Sequence, residues 1–186
     1  MNTALLLAAQ GGHEDVSEVL LAAGADMEAA GRWGYTSLLH AAEGGHAELT
    51  SMLLEKGANV AAADVHRYAA LHLASKKGHW DVCSVLLDAG ADIEAQNDRG
   101  YAPLHDAASE GQEDCAKSLL ESGATLTATD MWNDTVLHVA AGGGARGNGA
   151  DVAGLWSGHC CNQPVPAHRS PYGCVCWCLW HHADSS

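Results

Sequence analysis

At 186 residues with 47% apolar side chains, the chain is long enough for one domain or a short repeat array and too apolar to be disordered throughout. A formal charge of −14 at pH 7, set against only nine Lys and Arg, would repel a phosphate backbone or an anionic membrane surface. Nucleic acid and membrane are therefore set aside as partners, in favour of basic or neutral protein surfaces.

No cationic leader precedes the first apolar run, Ala4 to Ala9, which is too short for a signal sequence or a membrane span. A soluble, intracellular protein, cytoplasmic or nuclear, is expected. Cys83 and Cys115 stand apart, while Cys160, Cys161, Cys174, Cys176 and Cys178 crowd together near the C-terminus. That distribution gives the stretch 1–144 no disulfide framework and suits a reducing compartment.

From Leu5 onward the chain repeats itself at one constant interval, the step from Leu5 to Leu38, without insertion. Leu5, Leu38, Leu71, Leu104 and Leu137 keep the period, as do Ala8, Ala41, Ala74, Ala107 and Ala140. Gly12, Gly45, Gly78, Gly111 and Gly144 keep it too, followed in the complete units by a Leu-Leu pair and a Gly-Ala pair. Within one unit, Thr36 or Thr135 suits an N-cap, and Pro103 stands at a first helical position where its missing donor costs nothing. His72, His105 and His138 lie three residues past the cap and are expected to hydrogen-bond back to it, as in a capping box. Alanine pairs such as Ala41-Ala42 and Ala107-Ala108 keep this first helix thin, and Gly45 or Gly78 can end it in the left-handed conformation.

A second helix follows, with Asp15, Glu48, Asp81 or Asp114 near its positive dipole end. Its apolar positions predict a buried stripe: Val16, Val19 and Leu20; Leu49, Met52 and Leu53; Val82, Val85 and Leu86; Cys115 and Leu119. Such a helical pair is too small to bury that stripe alone, so units must stack. Cutting one of the paired leucines to alanine should then cost about 2–5 kcal/mol. Between units, Met27, Val60 or Ile93 and a polar run (Asp64; Asn97-Asp98) form an extended turn.

The stretches TSLLHAA (36–42), LHLA (71–74), APLHDAA (102–108) and TVLHVAA (135–141) make the chain resemble the ankyrin repeat family over residues 1–144. The resemblance implies an all-α solenoid of stacked helix-turn-helix units with short β-hairpin fingers. The units are a truncated first one (1–30), three complete ones (31–63, 64–96 and 97–129) and a half unit (130–144). It also implies protein recognition as the activity, with no catalysis and no cofactor. The chain carries no phosphate-binding glycine loop, nucleophile elbow or HExxH pair.

Specificity should reside where the units differ. Trp33, His66, Arg99 and Trp132 share one place in the period, and Tyr35, Tyr68, Tyr101 and Asp134 another two residues on. In the family these places fall on finger tips and the concave face, and Trp, Tyr and Arg dominate interface hot spots. The tyrosines either meet a partner or pack against neighbouring fingers; one ring can do both. Glu43, Lys76, Lys77, Ser109 and Glu110, near the ends of first helices, would extend the same face with charge.

The pattern fails in the fifth unit, where Asn148, Asp151, Val152 and Ala153 occupy core positions, and residues 145–186 show no helical or strand period and are expected to be poorly ordered. One reading of this tail is a metal-binding or redox element built on Cys174, Cys176, Cys178, His181 and His182, although CxCxC spacing is a weak signal. A one-nucleotide shift reads it differently. In that frame Trp156 becomes a glycine one period after Gly123, Trp177 becomes a glycine one period after Gly144, and a threonine is permitted one period after Thr135. The tail then reads as further repeats out of frame, and its cysteines as accidents of alanine or valine codons. The array as written is left with raw ends and a tendency to associate. Sequencing the transcript across codons 142–146 should reveal a one-base slip in the glycine-coding run. An in-frame message with matching tail peptides would refute the shift.

Overall fold

A computed structural model describes residues 3–143. Both readings of the tail lie outside the described residues. Within them the chain forms nine α-helices in pairs: α1 (Ala4–Gln10) with α2 (Glu14–Ala22), α3 (Ser37–Gly44) with α4 (Ala47–Glu55), α5 (Ala70–Lys77) with α6 (Trp80–Asp88), and α7 (Pro103–Glu110) with α8 (Glu113–Glu121). The last, α9 (Val136–Gly143), is an unpaired first helix. First helices form one layer, α1 on α3 on α5 on α7 on α9, and α4, α6 and α8 form a second layer behind it. No helix among them is long and apolar enough to cross a membrane.

The first helices begin where the sequence places their caps. Thr3 and Thr36 accept the N–H of Leu6 and Leu39 on their hydroxyls. Ala69 and Ala102 carry no side-chain acceptor, so a histidine bonds the cap residue from inside the helix. Nδ1 of His72 accepts the Ala69 N–H at 3.3 Å, and Nδ1 of His105 accepts the Ala102 N–H at 3.2 Å. The other nitrogen of His72 donates to the Tyr101 carbonyl at 2.9 Å, so one imidazole caps its own unit and ties it to the next.

The helix-ending glycine has two reasons to be glycine. Gly45 has φ 76°, and a Cβ there would lie 2.6 Å from the ring of His79 in the following unit. That ring lies over the glycine because its Nε2 donates to the Glu43 carbonyl at 3.1 Å. His46 makes the same reach to the Gln10 carbonyl and Gln112 to that of Lys76. The position after the glycine is thus a latch between units, which the period alone did not disclose.

Leu38, Leu39, Leu49, Leu53, Leu71, Leu86, Leu104 and Leu119 are fully buried in one continuous core. The stripe of the second helices sits slightly differently from expectation. Its buried members are Leu49, Thr50 and Leu53, then Val82, Cys83 and Leu86, then Cys115, Ala116 and Leu119, with Met52 and Val85 at the margin. In α2 the expected stripe is not buried: Val16 is 51% and Val19 67% exposed, and Leu20 is not part of the core. Among the described residues no earlier helical pair exists to cover that flank, so the same residue types that are core in the interior units face solvent here.

The two left-handed glycines Gly45 and Gly57 separate conformational strain from packing, since a Cβ at Gly57 meets nothing within 4 Å. Gly57→Ala should cost about 1 kcal/mol and Gly45→Ala at least about 1 kcal/mol more, measured by urea unfolding. Equal costs would dismiss the latch.

Candidate partner-binding face

Each finger is organised by the residue that opens it. The carboxylate oxygen Oδ1 of Asp64 accepts the N–H groups of His66 and Tyr68, both at 2.8 Å. The Asn97 amide oxygen serves Arg99 and Tyr101 in the same way, and Asp130 serves Trp132 and Asp134. These Asx turns fold the tip, and the backbone closes it, with the Asp64 N–H on the Tyr68 carbonyl. Pairing goes no further than isolated bridges, Ala63 with Ala69 and Thr129 with Thr135, so the fingers are tight turns rather than extended hairpins. Gly31, at the corresponding place, has no side-chain acceptor. Its finger is distorted into a 3-10 turn with Trp33 at φ 65°. Arg67, with φ 62°, holds a left-handed turn position without being glycine or asparagine.

Fingers are joined in a line. The N–H groups of Val65, Asp98 and Met131 donate to the carbonyls of Trp33, His66 and Arg99, all at 3.0–3.1 Å. The tips therefore stand at fixed separation, with Trp33 57% and Trp132 60% exposed, and His66 and Arg99 exposed between them. Beside them the line exposes two residues that sequence reasoning passed over, Val65 and Met131. They sit one position before His66 and Trp132, and their apolar character at a turn tip was the signal.

The tyrosines lie inward of the tips and are half-buried. They do not stack on one another. Tyr35 packs on His40 at 5.0 Å between centroids, Tyr68 on His72 at 5.7 Å and Tyr101 on His105 at 5.4 Å. Each ring thus rests on the first helix of its own unit and stays partly exposed. Burial, reinforced by Glu43 and Asp64, pushes the Tyr35 hydroxyl up to about 12. Tyr68 and Tyr101 are also raised, mainly by burial, so all three phenols stay protonated and able to donate.

Tyr35, Tyr68 and Leu73 form the apolar wall of a concave groove of about 310 Å³. Its charged rim brings together Glu43, His66, Lys76, Lys77 and Arg99, with Asp64 and Asp98. Trp33, Tyr101, Trp132 and Glu110 are not part of this groove; the tryptophans stand at the ends of the finger line and Glu110 is exposed at the end of α7. Among the described residues, no group of three or more His, Cys, Asp or Glu is placed to hold a metal ion.

The family model for ankyrin repeats (3 copies) matches residues 1–64 and 62–130. The chain belongs to the ankyrin repeat family. Among curated proteins, none matches it.

This ankyrin array also buries a carboxylate. Asp106, on α7, is only 2% exposed, and its Oδ2 has no hydrogen-bond partner. It occupies the place that Leu73 fills one unit earlier and Val139 one unit later, which is how a carboxylate at an apolar position shows in the sequence. Burial raises its pKa from 3.8 to about 7, against the opposing pull of Lys76 and Arg99. For an acid raised on folding, the penalty is absent below the unfolded value, grows between pH 3.8 and about 7, and is complete above that. The stability advantage of Asp106→Asn over the parent should therefore widen by roughly 2–4 kcal/mol between pH 4 and pH 8. Urea unfolding at both pH values checks this, and a difference that does not change with pH would contradict it.

Proposed function

We propose that this ankyrin array is a recognition module that holds another protein by its finger tips and concave face and does no chemistry on it. Ankyrin repeats generally serve protein–protein interaction, and this chain belongs to them. The observation that carries the finer reading is the hydrogen-bonded line of fingers presenting Trp33, His66, Arg99 and Trp132 above half-buried Tyr35, Tyr68 and Tyr101. Large aromatic side chains held in advance at fixed spacing offer contact area at little entropic cost. Lys76, Lys77 and Glu110, at the ends of α5 and α7, would steer orientation. The net charge of −14 argues against nucleic acid and anionic membranes as the bound surface. An intracellular location, cytoplasmic or nuclear, goes with this reading.

Co-purification from cell extract, comparing the parent chain with a Trp33→Ala, Tyr68→Ala, Tyr101→Ala variant, should show partners lost from the variant. Lys117→Ala, on the second-helix layer, serves as the control that retains them. Partners held equally by all three chains would eliminate the proposed face.

A further inference from the structure

Lys76, Lys77 and Arg99 are three of the nine permanent cations in a chain of charge −14, and all three line the same groove. One of the groove's acids is paired with a permanent cation and one with an imidazole that is charged only when protonated. Lys77 approaches Glu43 to 3.7 Å and His66 approaches Asp98 to 3.6 Å. The third acid, Asp64, has one oxygen occupied by the backbone of its own finger. Lys76 and Arg99 have no carboxylate within 4.0 Å among the described residues. Lys76 stands instead 5.5 Å from the centre of the Tyr68 ring. Both cations act on the buried Asp106 carboxylate, but neither forms an ion pair with it. With its pKa near 7, it also supplies only part of a charge at neutral pH.

Two unmatched cations beside two tyrosine faces define a complement. We infer that the groove takes an extended segment of a partner protein, with an aspartate or glutamate side chain between Lys76 and Arg99 and an adjoining apolar or aromatic side chain against Tyr35 and Tyr68. The inference rests on the concave-face reading above and names the chemistry it recognises. Charge-assisted hydrogen bonds are the strong ones, and the Arg99 guanidinium offers a carboxylate two parallel donors. The charge of the chain as a whole favours basic partners. At physiological salt, however, the screening length is about 8 Å, so groups at contact outweigh distant acids.

Random nine-residue peptides displayed on phage and selected on the full chain test the assignment, with a selected peptide then titrated calorimetrically. Asp or Glu should be enriched at one position beside an aromatic or large aliphatic residue. Affinity should fall about tenfold or more in a Lys76→Gln, Arg99→Gln chain. A Lys76→Glu, Arg99→Glu chain should select Lys or Arg at that position instead. Neither side chain belongs to the core, so these chains fold, as their thermal melts would verify. Basic peptides enriched on the parent, acidic peptides bound equally by the Gln variant, or no enrichment at all would overturn the acidic-segment assignment. The underlying face is judged separately: peptides of any charge that bind Tyr68→Ala and Tyr101→Ala unchanged would overturn that reading.

Discussion

A pair of eight- or nine-residue helices cannot hide its own apolar flank, and the rest of this molecule depends on the next pair covering it. Leu53, Leu86 and Leu119 each sit at a seam with no exposed surface. Removing such a side chain from water contributes about 1.5–3 kcal/mol. Much of the contribution is realised across boundaries between units, so stability accrues with each boundary as well as within each pair. Polar groups then fix how the boundary is set: His72 on the Tyr101 carbonyl, His79 on the Glu43 carbonyl, and the carboxylate of Glu28 on the Asn59 N–H at 2.9 Å. Apolar burial supplies the attraction and these bonds supply the alignment.

That alignment positions the candidate face. A finger tip alone is a short turn with a few exposed side chains. Asx bonds shape three of the four turns, the carbonyls of Trp33, His66 and Arg99 join each to the next, and the seam beneath holds them at unit spacing. The proposed binding surface and the core are therefore two sides of one stacking interaction. Asp106 illustrates the tension between them, since it places an ionisable group where neighbouring units keep leucine or valine. Proteins commonly give up stability in this way beside a surface they use.

The fold was legible because its signals recur. One leucine at a given position would say little, but five at equal spacing fix the helices and the unit length, and the cap histidines and terminal glycines follow from the same alignment. Sequence reasoning failed where a residue's setting depends on what stands beside it. Val16 and Val19 have core character and yet are exposed, because burial in a stack comes from a neighbour. The tyrosines form a row in sequence, while their rings rest on histidines of their own units. The bonding of Asp64 and Asn97 to their own fingers, and the matching of Lys77 with Glu43 that leaves Lys76 alone, are matters of a few ångströms. No periodicity encodes those distances.

The latch over the helix-ending glycine has a genealogical consequence. Its two halves, a bare Cα at the end of one unit's first helix and a reaching imidazole or amide at the start of the following unit's second helix, recur at His46, His79 and Gln112 alike. Any copy of the repeating segment carries both halves and fits against any other copy without redesign. Such a chain can lengthen by tandem duplication of whole segments, while insertion of a single residue would break the register at every joint it crossed.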